Sequence, residues 1–112
     1  MKIVKDKIEI AELKEMSKRM FGNLVKAVVD IEKEIMAVDA ELHVDEEQLL
    51  IENKSEPKNL WGINIYPEKS GADFIEFDSM MNVRPDLGNR SRGVESEERR
   101  NKIIQIVNKL VK

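Results

Sequence analysis

Five of the six arginines of this chain lie between Arg84 and Arg100, in a stretch that contains none of its thirteen lysines. A guanidinium group is a planar fork of donors that can grip a phosphate or carboxylate through two parallel hydrogen bonds, which an ammonium group cannot do. Gly88 and Gly93 lie in the same loop and permit backbone conformations that other residues avoid. We therefore predict an anion-binding loop formed by Arg84, Asn89, Arg90, Ser91 and Arg92.

The ligand of this loop could be a nucleotide or a phosphate group of RNA. A helix predicted to begin near Ser96 would add the partial positive charge of its N-terminus. In a competing interpretation the arginines pair with nearby carboxylates, such as Asp86 or Glu95, and only hold the loop together, each exposed pair contributing ~0 to 1 kcal/mol. The segment matches neither a P-loop nor a dinucleotide-binding fingerprint, so both interpretations stay open.

A second candidate site lies in an acidic stretch, where Asp39, Glu41 and His43 alternate with apolar residues. In an extended strand these three side chains would share one face. Carboxylates with one imidazole suit Mg²⁺ or Mn²⁺, and His43 is the only side chain whose ordinary pKa lies near neutrality. The same acids could instead be the solvent face of a half-buried strand. No motif decides whether the protein is an enzyme or which cofactor it would use.

Hydrophobic periodicity predicts the helices that must position these residues. Apolar residues at helical spacing indicate a first helix over about residues 9–21 and a last helix from near Ser96 to the chain terminus. A short helix is predicted over about residues 46–53, with Asp45 and Gln48 forming a capping box.

Alternating apolar and polar residues predict the strands. Residues 24–42 indicate a β-hairpin with a charged turn, and Leu60–Tyr66 indicates a third strand with Trp61 on its core face. Phe74–Val83 alternates most regularly and predicts a fourth strand, antiparallel to the third. If these two strands are neighbours, four polar side chains form a wall leading towards the arginine loop: Asn64, Tyr66, Asp78 and Asn82.

The predicted order of elements is helix, two strands, short helix, two strands, helix. Each strand has one apolar face and one more polar face, which is typical of an antiparallel sheet covered by helices on one side. We predict a single α+β domain over residues 1–112, a two-layer sandwich of about four mainly antiparallel strands with N- and C-terminal helices and a short middle helix.

Composition and charge exclude several functions. The net charge of -3 argues against general affinity for DNA or RNA, which a basic surface normally provides. The absence of cysteine removes disulfides, thiolate catalysis and cysteine-ligated zinc. No apolar run has the length of a signal peptide or of a membrane span of ~18 residues, so we expect a cytoplasmic protein without a membrane partner.

Several segments resemble a small family of uncharacterised bacterial and archaeal proteins known only as a domain of unknown function. These segments are Val28–Glu32, Asp39–Asp45, Leu60–Pro67, Asn82–Pro85 and Gly88–Ser91. The resemblance covers nearly the whole chain and implies one stand-alone prokaryotic domain. It implies no activity, cofactor or catalytic residue.

The leading prediction for function is a small binding protein whose arginine loop accepts an anionic ligand, with Asn89, Arg90 and Arg92 as its main contacts. One alternative is a metal-dependent phosphoester hydrolase, in which Arg90 stabilises substrate charge and the Asp39, Glu41 and His43 group must lie beside the loop. The other is an interaction module, either a homodimer or the partner of another protein.

Overall fold

A computed structural model describes all 112 residues and contains three α-helices and five β-strands. The helices are α1 (Ile10–Arg19), α2 (His43–Glu52) and α3 (Glu97–Leu110), and the strands are β1 (Lys2–Val4), β2 (Val25–Asp30), β3 (Ile35–Val38), β4 (Leu60–Ile65) and β5 (Ile75–Glu76). The strands form one antiparallel sheet in the order β1-β3-β2-β4-β5. The predicted α+β class, the hairpin and the pairing of the third and fourth predicted strands are confirmed. Strand β1 was not predicted, because three residues are too short to show an alternating pattern.

The sheet buries apolar side chains on both of its faces. On one face Ala27, Val29 and Ile63 contribute to the main core, which also contains side chains from α1 and α3. On the other face Val28 and Leu50 belong to a smaller core that α2 covers. Helices were predicted on one side of the sheet only, but α2 lies on the face opposite α1 and α3. The central strands carry apolar side chains on both faces, and each face therefore needs a helix to cover it.

The chain turns sharply after β3 and enters α2 earlier than predicted. Asp39 adopts the left-handed conformation with φ of 73°, which ends the strand at Val38. The backbone N–H of Ala40 then donates a hydrogen bond of 3.1 Å to the buried carboxyl group of Glu46. The helix begins at His43 without a side-chain cap, so the predicted Asp45–Gln48 capping box is wrong.

The fourth predicted strand is much shorter in the structure, because the Asn82 side chain takes the place of its backbone hydrogen bonds with β4. The amide of Asn82 accepts a hydrogen bond from the Gly62 N–H (2.8 Å) and donates one to the Gly62 carbonyl (2.9 Å), as a neighbouring strand would. A Cβ atom at Gly62 would lie 2.7 Å from the Cβ of Ser79, so only glycine allows this close approach. The backbone after β5 therefore passes over β4 in a short 3₁₀ turn, Met80–Asn82, rather than continuing the sheet.

Helix α3 closes the fold where the periodicity predicted. The hydroxyl of Ser96 accepts a hydrogen bond of 3.2 Å from the Arg99 N–H, so the predicted helix start is confirmed. At the other end of the helix, Val111 pairs with Ile8 in an isolated parallel bridge that ties the C-terminus beside α1. None of the helices is both long enough and apolar enough to span a membrane.

Candidate functional site

Arg84, the first residue of the predicted anion-binding loop, is largely buried, with 14% of its side chain exposed. Its guanidinium group donates to the carbonyl oxygens of Pro57 (2.9 Å) and Leu60 (2.7 Å) and to a Glu47 carboxylate oxygen (3.1 Å). The guanidinium carbon also lies 5.2 Å from the centre of the Trp61 ring, within cation–π range. Arg84 therefore ties the loop to the start of β4 and to α2.

Asn89 is fully buried and organises the loop from inside. Its amide nitrogen donates to the carbonyl oxygens of Asn82 (2.7 Å) and Gly93 (2.8 Å), and its amide oxygen accepts from the Glu95 N–H (2.8 Å). Its backbone exchanges two hydrogen bonds with Arg84. The side chain therefore uses both ends of its amide within the chain.

The backbone amides of Arg90 and Ser91 already bind a carboxylate, because both donate to the same Glu95 oxygen, at 2.7 and 2.8 Å. These hydrogen bonds hold the pKa of Glu95 below its ordinary value, and the bond from the Arg90 N–H has the largest effect. The Arg90 side chain is exposed and makes no ion pair within the chain. The Glu95 carboxylate therefore occupies the position that an external anion would take at these two amides.

The residues predicted to hold a metal ion do not share one face. Asp39 lies in the turn after β3, within 4.0 Å of the N-terminal amine and 3.7 Å of Arg19. Glu41 is exposed, whereas His43 is buried at the start of α2. The predicted strand through these residues is wrong, because β3 ends at Val38. No group of three or more His, Asp or Glu side chains comes together as a potential metal site.

A cleft does form on the α2 face of the sheet, beside the N-terminus of α2, and its volume is about 510 Å³. It brings together parts of both sequence-predicted regions, since His43 and Arg92 both line it. Its other lining residues are Leu24, Lys26, Leu42, Val44, Asn64, Tyr66, Glu76, Asp78, Ser79, Met80 and Met81. The predicted polar wall is confirmed for Asn64, Tyr66 and Asp78. Asn82 instead lies buried against Gly62.

The sheet register builds the floor of this cleft. Lys26, Asn64 and Glu76 are direct partners across β2, β4 and β5, so they form one polar row on the α2 face. The Glu76 carboxylate accepts hydrogen bonds from the Asn64 amide (2.8 Å) and the Tyr66 hydroxyl (3.0 Å). Burial and this bond to Glu76 raise the pKa of Tyr66 and keep its phenol protonated. Lys26 and Glu76 were not predicted as site residues, and only the strand order reveals their alignment with Asn64.

Two cationic groups of the cleft keep free donors. The Arg92 Nε donates to Asp78 at 2.6 Å, while its two terminal nitrogens make no hydrogen bond within the chain. The Lys26 amine forms no ion pair and lies 5.0 Å from the centre of the Phe21 ring. The first turn of α2 adds the unpaired backbone N–H groups of His43 and Val44. The cleft therefore has three kinds of free donor, beside the carboxylates of Glu76 and Asp78.

His43 gives the cleft a buried polar group, with only 9% of the residue exposed. Its Nε2 lies 2.7 Å from the Ile63 carbonyl oxygen, so Nε2 carries the proton and Nδ1 keeps its lone pair. Nδ1 has no hydrogen-bond partner in the chain. Burial lowers the pKa of His43, in spite of the opposing effect of the Ile63 carbonyl. The imidazole is therefore neutral at neutral pH and offers Nδ1 as an acceptor.

The rim of the cleft is apolar. Leu42, Val44 and Met80 all line it, and each is more than half exposed. Small-molecule sites usually combine apolar walls with a few polar groups, and the volume lies within the range of roughly 300–1,000 Å³ seen for such sites.

The fold and the cleft define an α+β domain with helices on both faces of an antiparallel sheet and a largely polar, ligand-sized cleft on the α2 face. Residues 2–110 match the family described as Protein of unknown function (DUF5674), and the chain belongs to that family. No curated protein and no solved structure matches the chain.

Proposed function

We propose that the protein is a binding module that holds a compact phosphate-bearing ligand, such as a nucleotide, in the cleft on the α2 face. The observation that carries this proposal is the convergence of the unpaired Lys26 amine, the free terminal nitrogens of Arg92 and the first turn of α2 on one cleft. Phosphate oxygens accept hydrogen bonds from all three kinds of donor.

Of the two carboxylates of the cleft, Asp78 is paired with Arg92, whereas Glu76 keeps its negative charge and uses it to fix Asn64 and Tyr66. The neutral Nδ1 of His43 would accept a hydrogen bond from a hydroxyl or amino group on the body of the ligand. A nucleotide offers both a phosphate and such groups.

This proposal relocates the anion site predicted from the sequence. Of the five predicted loop residues only Arg92 lines the cleft. Arg84 and Asn89 hold the loop in place, and Glu95 occupies the amides of Arg90 and Ser91.

Thermal unfolding in the presence of nucleotides, inorganic phosphate, sulfate and short RNA tests the proposal. A ligand that binds only the folded state at a hundred times its Kd stabilises that state by about 2.7 kcal/mol, which raises the unfolding temperature by several degrees. We expect this rise in the natural protein, and its loss in Lys26→Gln and Arg92→Gln, since both changes remove a positive charge without adding a negative one.

Arg90→Gln is the matched control, because it makes the same change in the same loop at a side chain outside the cleft. We expect the full ligand effect to persist in this variant. If Arg90→Gln abolishes the effect while Lys26→Gln does not, the ligand binds at the exposed face of the loop. Absence of any effect across the whole ligand panel contradicts both locations.

The exposed apolar rim favours a second candidate function, the interaction module. Leu42, Val44 and Met80 would be covered if another protein chain were to dock on the cleft. Sedimentation velocity at several concentrations tests self-association, and Val44→Asp should disperse a dimer that uses this rim. A monomer at all concentrations contradicts the homodimer.

A further inference from the structure

A second concave surface lies on the opposite face of the sheet from the cleft, between β5 with its preceding loop and α3. The two neighbours in β5 point in opposite directions, since Glu76 lines the polar cleft and Ile75 lines this groove. The groove has a volume of about 740 Å³. Its lining residues are Lys69, Ser70, Gly71, Ala72, Phe74, Ile75, Phe77, Ile104, Asn108 and Val111.

The walls of the groove are large apolar side chains that the fold leaves half-buried. Phe74, Ile75, Phe77 and Val111 pack against the main core on one side and remain partly accessible on the other. Ile104 of α3 is likewise half-buried. Because they form a concave surface, a ligand of small-molecule size would remove their accessible apolar area from water.

The only charge among the lining residues of the groove is positive. Lys69 is the only charged residue that lines it, and no carboxylate does. The Lys69 amine lies 4.7 Å from the centre of the Tyr66 ring and forms no ion pair with an acidic side chain. An unpaired cation at the rim of an apolar groove selects a molecule with an apolar body and one anionic end.

We propose that this groove binds a small amphipathic anion, with its hydrocarbon body against Phe77 and Ile104 and its carboxylate on Lys69. The apolar part of this site differs from the phosphate-binding cleft in face and in chemistry, because the cleft has a polar floor and this groove has apolar walls, although the Lys69 amine lies beside Tyr66 of the cleft. A medium-chain carboxylate such as octanoate has the required combination of groups.

Amide chemical-shift mapping of the natural protein with octanoate, below its micelle-forming concentration, locates the site. We expect saturable shifts confined to residues 69–77 and 104–111. Shifts centred elsewhere, or shifts that do not saturate, overturn the proposal without the need for any variant.

Titration calorimetry then tests the two proposed contacts, that of the carboxylate with Lys69 and that of the hydrocarbon chain with the apolar wall. We expect 1-octanol and the Lys69→Glu variant each to weaken binding by about tenfold, as for the loss of one charge-assisted contact. Ile104→Glu should abolish binding by placing an acid in the apolar wall. Lys58→Glu makes the same charge change as Lys69→Glu at the opposite end of β4 and should leave the affinity unchanged. If octanol and octanoate bind equally well, or if Lys58→Glu weakens binding as much as Lys69→Glu does, the proposed contact with Lys69 is contradicted.

Discussion

Replacing the buried acid Glu46 by glutamine should stabilise this protein at neutral pH. Glu46 is 0% exposed, and its only hydrogen bond is the one accepted from the Ala40 N–H. The second carboxyl oxygen, Oε1, is buried without a partner. Burial raises the pKa of Glu46 to about 10, so the folded protein keeps this carboxyl protonated.

The magnitude follows from the difference between the folded and unfolded pKa values. In the unfolded chain Glu46 titrates near 4.5, whereas the folded chain retains the proton up to about pH 10. The stability associated with this group is therefore fully present below pH 4.5 and is lost as the pH rises towards 10, by about 1.4 kcal/mol per pH unit. At pH 7 the loss amounts to about 3 kcal/mol.

Glu46→Gln removes this proton-linked loss and keeps an oxygen that can accept from Ala40. We expect the free energy of unfolding of the variant to exceed that of the natural protein by about 3 kcal/mol at pH 7, and the two to converge near pH 4.5. Urea unfolding followed by the fluorescence of the single, buried Trp61, at pH values from 5 to 9, measures the difference.

Glu41→Gln is the matched control, because it makes the same change at an exposed residue of the preceding turn. It should show no pH-dependent gain. If Glu46→Gln is no more stable than the natural protein at pH 7, and the two stability curves run parallel in pH, the reasoning about a protonated buried acid is refuted.

Three further predictions test the contacts around β4. Gly62→Ala should destabilise the fold by about 1–3 kcal/mol, since the new Cβ would lie 2.7 Å from the Ser79 Cβ, and calorimetric unfolding measures this. Arg84→Met should cost about 1–3 kcal/mol in urea unfolding, because it leaves the partly buried Glu47 carboxylate and the Leu60 carbonyl oxygen unpaired; an unchanged midpoint would contradict the structural role of Arg84. The imidazole of His43 should titrate below 6.5 by NMR with the proton on Nε2, and a pKa at or above 6.5 would show that the ring is not buried as described.

Local patterns predicted the elements whose apolar faces repeat over many residues. The last helix is the best case, because its apolar stripe is long and Ser96 caps it as expected. The pattern failed where a single contact overrides it. Residues 77–83 alternate like a strand, yet Asn82 replaces the backbone pairing with Gly62 and the chain leaves the sheet. An alternating pattern cannot distinguish a strand paired through its backbone from an extended segment held by one side chain, since both place one apolar face inward.

The candidate site was predictable only in part, for a related reason. The sequence identified the arginine-rich loop and the polar residues of β4, but the type of a residue does not show whether its donors are free. Arg84 and Arg92 look equivalent in the sequence, whereas one is buried against carbonyl oxygens and the other reaches the cleft. Lys26 joins the site through the pairing of β2 with β4, and strand order depends on the packing of the whole domain.

The Asn82 amide also bears on aggregation. An open sheet edge with unpaired N–H and C=O groups is a template on which another chain can add a strand. Strand β5 protects only the end of β4, at Asn64 and Ile65, and Gly62 would otherwise present a free N–H and C=O on the same edge. Because the Asn82 side chain occupies both groups, one amide closes a stretch of sheet edge that would otherwise recruit a second molecule. Asn82→Ala should therefore promote fibril or precipitate formation beyond what its loss of stability alone would cause.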